Sequence, residues 1–336
     1  MLNNYKTNKQ SASSKICIKL VNDIKNYINK DLFIQNIVKE INLSTKVPKR
    51  VLNQKIYQIV FNFFNFEKNK FEKFGLFFLV IDCLKYYFFS LINILFHRKH
   101  IKKKLFFNLI CDNVFNQNDF DRYSKLIKIF KRVCLLGSYY PKNLKTKNNF
   151  RYKILNIGHS NQNLKSKFFF IKLGLLIFYY SISNRINYYR IFYLLIYDIL
   201  RSNHIFSQIS ANYFFTNKFY GTSPIFNYYF KKAGGIKATC YQKNILAYSL
   251  SCFVFSDILF TLGKGQGNIC RQLGGEIKKI LPVGSLMMEN NWFNKKKDLK
   301  NVPFSNVIIL GINTKYSHRH YVNHIYEENY YNLFLS

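Results

Sequence analysis

Apolar positions recur every three to four residues from about residue 16 to 65, as in "ICIKLVNDIKNYI" and "LFIQNIVKEI". That spacing predicts helices, because residues three and four apart share one face. Pro48, in "VPKRVLNQ", predicts a break among them. A more apolar stretch follows, "FGLFFLVIDCLKYYFFSLINILFHRKHIKKK", from Phe74 to Lys104. It has the length to cross a bilayer and ends in a basic cluster, His97 to Lys104. Asp82 and Lys85 stand mid-span, where each charge is costly. An in-plane helix, with aromatics among headgroups and lysines on anionic lipid, fits these residues better than a spanning one. A helix buried in a protein core fits the apolarity too.

After Lys104 the period changes. "LFFNLICDNV", "KRVCLLGS" and "RYKILNIGHS" are apolar runs of strand length, and "NDFDRYSKLIKIF" between the first two has helical spacing with Asn118 as its N-cap. "YYPKNLKTKNNF" reads as a polar loop. One very apolar helical region spans Lys167 to about Arg201, and "SANYFFTN" reads as a strand. A helix from Ser223 to Lys232 is stopped by Gly234 and Gly235, and "IKATCYQ" is again a strand. The region from Asn244 to Phe255 has no clear period. Strands "DILFTLG" and "EIKKILPVGS" then flank a helix, "QGNICRQLGG", and "VIILGIN" is a last strand. Short apolar strands alternating with helices predict an α/β fold, a Rossmann-like, doubly wound parallel sheet covered on both faces. The expected organisation is a basic helical region over 1–103 with a membrane-associating segment at 74–96, a Rossmann-like domain over 104–285, a linker over 286–303, and the start of a truncated second Rossmann-like domain over 304–336.

Composition sharpens this picture in three ways. At 49% hydrophobic over 336 residues, the chain has material for a large core, which argues against wholesale disorder. The formal net charge of +35 favours polyanionic partners, either nucleic acid or an anionic membrane face. Much of that charge follows from base composition, since Lys, Asn, Ile, Phe and Tyr all have AT-rich codons. Lys far outnumbers Arg, the residue that reads phosphates and base edges with a planar fork, and this weighs against nucleic acid. The seven cysteines are odd in number, never spaced C-x-x-C, and mostly inside apolar runs. They read as small buried hydrophobes in a reducing compartment, with no metal framework. The first fifteen residues lack the apolar core of a signal peptide, so a cytoplasmic location is expected.

In a parallel sheet, ligands bind beyond the carboxyl ends of the strands. Four strand ends here carry small or polar residues: Gly158-His159-Ser160, Gln242-Lys243-Asn244, Gly263-Lys264-Gly265-Gln266-Gly267 and Gly284-Ser285. Each could line one crevice. The glycine turn offers backbone N–H groups to a phosphate and Lys264 adds a point charge, although the turn lacks the third glycine of G-x-G-x-x-G and an ordinary strand-to-helix turn accounts for the same residues. His159 is a candidate base or a holder of a substrate hydroxyl. Glu289, after Gly284-Ser285, is either catalytic or merely solvated. His318, His320 and His324 lack a carboxylate or thiolate at a ligand spacing, so no metal or cofactor site is expected.

"SDILFTLGKGQGNICRQLGGEIKKILPVGSLMME" resembles the end of the N-terminal domain of GT-B-fold glycosyltransferases of bacterial surface polysaccharide and lipopolysaccharide synthesis, including enzymes similar to CDP-glycerol glycerophosphotransferases and capsule enzymes. Those chains carry a "D-x-x-F-T-x-G" strand, a helix, and a strand ending "V-G-S". "GIKATCYQKN" is similar to their strand ending Gln-His-Gly, with Lys243-Asn244 standing where the pattern has His-Gly. The resemblance covers roughly 106–313 and is strongest over 235–289. It implies transfer of a sugar or related group from a nucleotide-sugar or CDP-activated donor to a lipid-linked or glycan acceptor, on the inner face of a membrane. His159, Gln242 and Glu289 are the candidate catalytic residues. Gly158, Ser160, Lys243, Gly263, Lys264, Gly265, Gly284 and Ser285 are the candidate binding residues. "VIILGINT" would open the donor domain, and the chain stops after one further candidate helix, so the resemblance implies a protein that needs that domain supplied before it turns over. Two other readings stand beside it: a basic nucleic-acid-binding protein, and a non-catalytic membrane-associated scaffold.

Overall fold

The computed structural model describes residues 12–66, 75–95, 104–114, 120, 123, 128–137, 149–152, 164–242, 251–263 and 265–284. Helices come first: α1 (Ala12–Lys30), α2 (Leu32–Thr45), α3 (Lys49–Phe66) and α4 (Leu76–Leu95). Strands β1 (Leu105–Val114), β2 (Val133–Gly137) and β3 (Asn149–Tyr152) follow, then helices α5 (Leu164–Asn184) and α6 (Tyr189–Gln208). The remainder is β4 (Ile209–Thr216), a short 3-10 turn (Phe219–Gly221), α7 (Pro224–Lys232), β5 (Lys237–Tyr241), β6 (Phe255–Thr261), α8 (Gln266–Gln272) and β7 (Glu276–Pro282).

The seven strands form one sheet in the order β3-β2-β1-β4-β5-β6-β7, and every neighbouring pair is parallel. The expected α/β sheet is therefore present. Its order reverses direction between β1 and β4, which are in register from Leu105 opposite Ile209 to Asp112 opposite Thr216. Such a reversal is the switch point of a doubly wound sheet. Neighbouring residues of one strand serve opposite faces. Phe214 packs on Phe226 and Phe230 of α7, with ring centroids 4.8 and 6.1 Å away, while Phe215 meets Tyr123 on the other face at 5.7 Å.

The helical region and the strands are contiguous in one core, which runs from Cys17 and Ile37 through Leu79 and Tyr189 to Phe214 and Phe255. Polar anchors cross the expected boundary near residue 104. Gln58 Nε2 donates to the carbonyls of Thr222 and Phe253, both at 2.7 Å, and Tyr228 donates from its hydroxyl to the Lys46 carbonyl at 2.9 Å. The break expected at Pro48 lies between α2 and α3, where Lys46 closes α2 in a left-handed conformation.

Two elements differ from the sequence reading. The single helical region over Lys167–Arg201 is two helices, because Arg185 turns at φ 52° and Tyr188 N–H donates to Ser181 Oγ. No Gly or Pro marks this turn, so the apolar period runs through it unbroken. The third strand starts earlier, at Asn149, inside the stretch read as a polar loop; residues 153–160 lie outside the described residues. The linker 286–303 and the segment 304–336 also lie outside them.

Candidate functional site: the carboxyl tips of the sheet

Three neighbouring strand tips carry the described candidate residues, and the structure ties them together. Gln242, at the end of β5, is buried; its backbone N–H donates to the Phe260 carbonyl at 2.9 Å, and its side-chain Oε1 accepts from Leu262 N–H at 3.2 Å. The β5 tip thus holds the β6 tip by both backbone and side chain. Tyr241 donates from its hydroxyl to the Gly284 carbonyl at 3.2 Å, and Val283 N–H donates to the Thr261 carbonyl at 2.9 Å. Gln242, Gly263, Gly265 and Gly284 therefore border one region. As an amide, Gln242 offers hydrogen bonds and no titratable proton.

The glycines of this region divide by cause. Gly284 has φ +76°, a conformation that glycine adopts without a Cβ penalty. Gly267 packs its backbone on β7: an added Cβ would sit 2.4 Å from Ile280 Cγ2. Gly263 and Gly265 have neither reason. Gly265 is right-handed helical at φ −79°, neither residue has positive φ, and a Cβ at either would enter open space. The space in front of the backbone is open at Gly263, Gly265 and Gly284 alike. Helix α8 is only seven residues long and has no side-chain cap.

The switch point itself is bridged. Tyr123, fully buried, donates from its hydroxyl to the Asp112 carbonyl at the end of β1 and accepts from Asn217 N–H, just past β4, at 3.0 Å. Thr216 Oγ1 accepts from Lys218 N–H at 3.3 Å. One phenol thereby spans the gap between the diverging halves of the sheet. The end of "SANYFFTN" is not among the strand ends singled out in the sequence, and its pairing with Tyr123 depends on strand order, which no local pattern encodes.

Of the other candidates, Gly158, His159, Ser160, Lys243, Lys264, Ser285 and Glu289 lie outside the described residues, as do His318, His320 and His324. β3, the strand that precedes 158–160, is the edge opposite β7. Six strand spacings separate the two edges, roughly 29 Å at about 4.8 Å each. Among the described residues no group of three or more His, Cys, Asp or Glu could hold a metal ion.

Two carboxylates missed by sequence reading lie away from these tips. Asp198 on α6 is buried, 2.9 Å from Lys55 Nζ of α3, and accepts from Ser223 Oγ at 2.5 Å; Ser223 in turn caps α7 by accepting from Phe226 N–H. Burial is the largest influence and pushes its carboxyl up, but the Lys55 charge, the Ser223 hydroxyl and Arg201 together hold it below the ordinary carboxylate range. Asp257, at the amino end of β6, accepts from Ala238 N–H at 2.9 Å and pairs with Lys231 and Lys278. Burial again raises it, and these partners prevail and lower it. It borders a cleft of about 750 Å³ at the amino ends of β5–β7, along with Arg50, Arg271 and Glu276. Glu276 is paired with Arg50, and Arg271 donates to the Ile277 and Lys278 carbonyls at 3.1 Å. These groups satisfy one another, and the cleft lies at the end of the sheet away from the strand tips.

Comparison with family models, with curated proteins and with solved structures yields no match to this chain.

Proposed function

We propose that the protein is a glycosyltransferase-like protein of surface-polysaccharide synthesis, of GT-B type, working peripherally on the inner face of a membrane. It handles transfer of a sugar or related group from a nucleotide-activated donor to a lipid-linked or glycan acceptor. The observation that carries the reading is the meeting of the β5, β6 and β7 tips at Gln242, Gly263 and Gly284, where a Cβ at Gly263, Gly265 or Gly284 would meet nothing within 4 Å. The likeness of residues 235–289 to the end of a GT-B N-terminal domain gives that space its chemistry. Backbone N–H groups suit a phosphate or a hydroxyl-rich ligand, while transfer needs a base on the acceptor hydroxyl and positive charge on the leaving diphosphate. His159 and Glu289 are the titratable candidates for the base.

The test is binding, since activity depends on the donor side. A panel of nucleotide sugars, CDP-glycerol and a polyisoprenyl phosphate in detergent is titrated by ligand-observed NMR. At least one member binds saturably, and Gly265→Leu abolishes that binding at unchanged melting temperature. No binding by any member, or equal binding by the variant, contradicts the reading. Tight binding of random single-stranded oligonucleotides with a steep salt slope would favour the nucleic-acid reading instead.

A further inference from the structure

We infer that the paired helices α4 and α5 form the surface that docks on an anionic bilayer, lying in the plane of the interface. This rests on the membrane-peripheral reading above and names its contact face. The two helices are held by buried contacts. Tyr86 donates from its hydroxyl to the Phe170 carbonyl at 2.7 Å, Tyr189 of α6 donates to the Gly174 carbonyl at 2.6 Å, and a Cβ at Gly174 would lie 2.8 Å from the Tyr86 ring. With Tyr86 turned inward, the helical repeat turns Phe77, Leu84 and Phe88 outward. These three are 70%, 63% and 67% exposed. On α5, Ile177 is buried and Leu175 and Tyr179 stand 64% and 66% exposed on the opposite side, with Ile182 beside them.

A helix packed on a core normally shows polar residues on its outer face. Here the outer faces of two adjacent helices are apolar, which marks a surface that meets something apolar. Charge identifies that partner. Lys85, Lys172 and Arg185 are exposed on or beside these helices. The only acid in the two helices is Asp82, which is held by Arg190 at 3.2 Å, by Asn187 at 2.8 Å and by Lys85 at 3.6 Å, while the Lys85 side chain stays 67% exposed. Five Lys or Arg follow within residues 97–104, and the whole chain carries +35. Apolar residues flanked by cations, with no outward acid in the two helices, complement an interface of acyl chains under anionic headgroups. Among the described residues no helix is long and apolar enough to cross a membrane, so contact is by a face.

The experiment uses the full chain and vesicles of phosphatidylcholine, alone or mixed with phosphatidylglycerol. Leu84→Trp is made in a Trp292→Phe background, with Ile236→Trp, 51% exposed at the amino end of β5 on the sheet, as the control, and brominated lipid reads insertion. Trp at 84 is quenched and Trp at 236 is not. Binding is stronger to the phosphatidylglycerol mixture, and Phe77→Glu/Leu84→Glu/Phe88→Glu weakens it by about a hundredfold or more. If the wild type binds vesicles while Trp at 84 stays unquenched and the triple variant binds equally, the inference falls and the membrane reading survives. If the wild type binds neither vesicle, both fall. If the wild type is a dimer that the triple variant makes monomeric, the face is an interface between copies and the inference falls.

Discussion

Gly263 and Gly265 lack an internal cause, and that separates them from the glycine two residues on. Replacing Gly265 by Ala or Leu should change stability by less than about 0.5 kcal/mol, because its Cβ enters open space at an ordinary φ. Gly267→Ala should cost about 1–3 kcal/mol, since its Cβ meets Ile280 on the facing strand. Chemical denaturation of the two variants checks the contrast. Asp198→Asn should cost about 3–5 kcal/mol, because it leaves Lys55 charged beside a neutral amide. The folded carboxyl lies below its unfolded value, so its contribution is present above about pH 4 and is lost as pH falls through the folded pKa. The gap in melting temperature between wild type and Asp198→Asn should therefore narrow as pH falls below about 4. Burial pushes the Cys240 and Cys270 thiols up to about 12, so both should resist disulfide reagents at neutral pH until the chain is unfolded, as mass spectrometry of the labelled protein would read. The glycine turn and the Gln242 tip were legible because each is a local departure from an apolar run. The partners of Asp198, Asp257 and Asp82 were not, because periodicity tells which way a side chain faces and says nothing of what it meets.

At the scale of elements, Asp82 is the instructive case. In sequence it counts against a spanning helix; in the structure it is the anchor of α4 on the start of α6, through Arg190 and Asn187. The same helix buries Leu79 and Tyr86 and exposes Phe77, Leu84 and Phe88, so it is neither a span nor a fully buried helix. Its fit to α5 depends on Gly174. Gly174→Val should force the Tyr86 ring away, cost about 1–3 kcal/mol, and increase hydrogen exchange along α4 before the sheet opens. The Ser223–Lys232 helix followed from the sequence, because Ser223 is a true cap and Gly234 ends the helix at φ +98°. The α5–α6 turn did not, since an Asn- and Arg-rich corner replaces the usual Gly or Pro.

For the whole molecule, the decisive feature is the order of strands, which no local pattern encodes. That order sets the reversal between β1 and β4, brings the β5, β6 and β7 tips side by side, and sends β3 to the far edge. It also gives the sheet two unlike ends. Asp257, Lys231 and Lys278 satisfy one another at the amino end, and glycines with unfilled space stand at the carboxyl end. The most direct measurement is hydrogen–deuterium exchange of the full chain with and without the member of the nucleotide-sugar and lipid-phosphate panel that binds. The account predicts added protection at residues 216–218, 242, 262–265 and 283–284, with the amino-end cleft around Arg50 and Lys231 unchanged. Protection confined to that cleft, or none at the strand tips under saturating ligand, would contradict it.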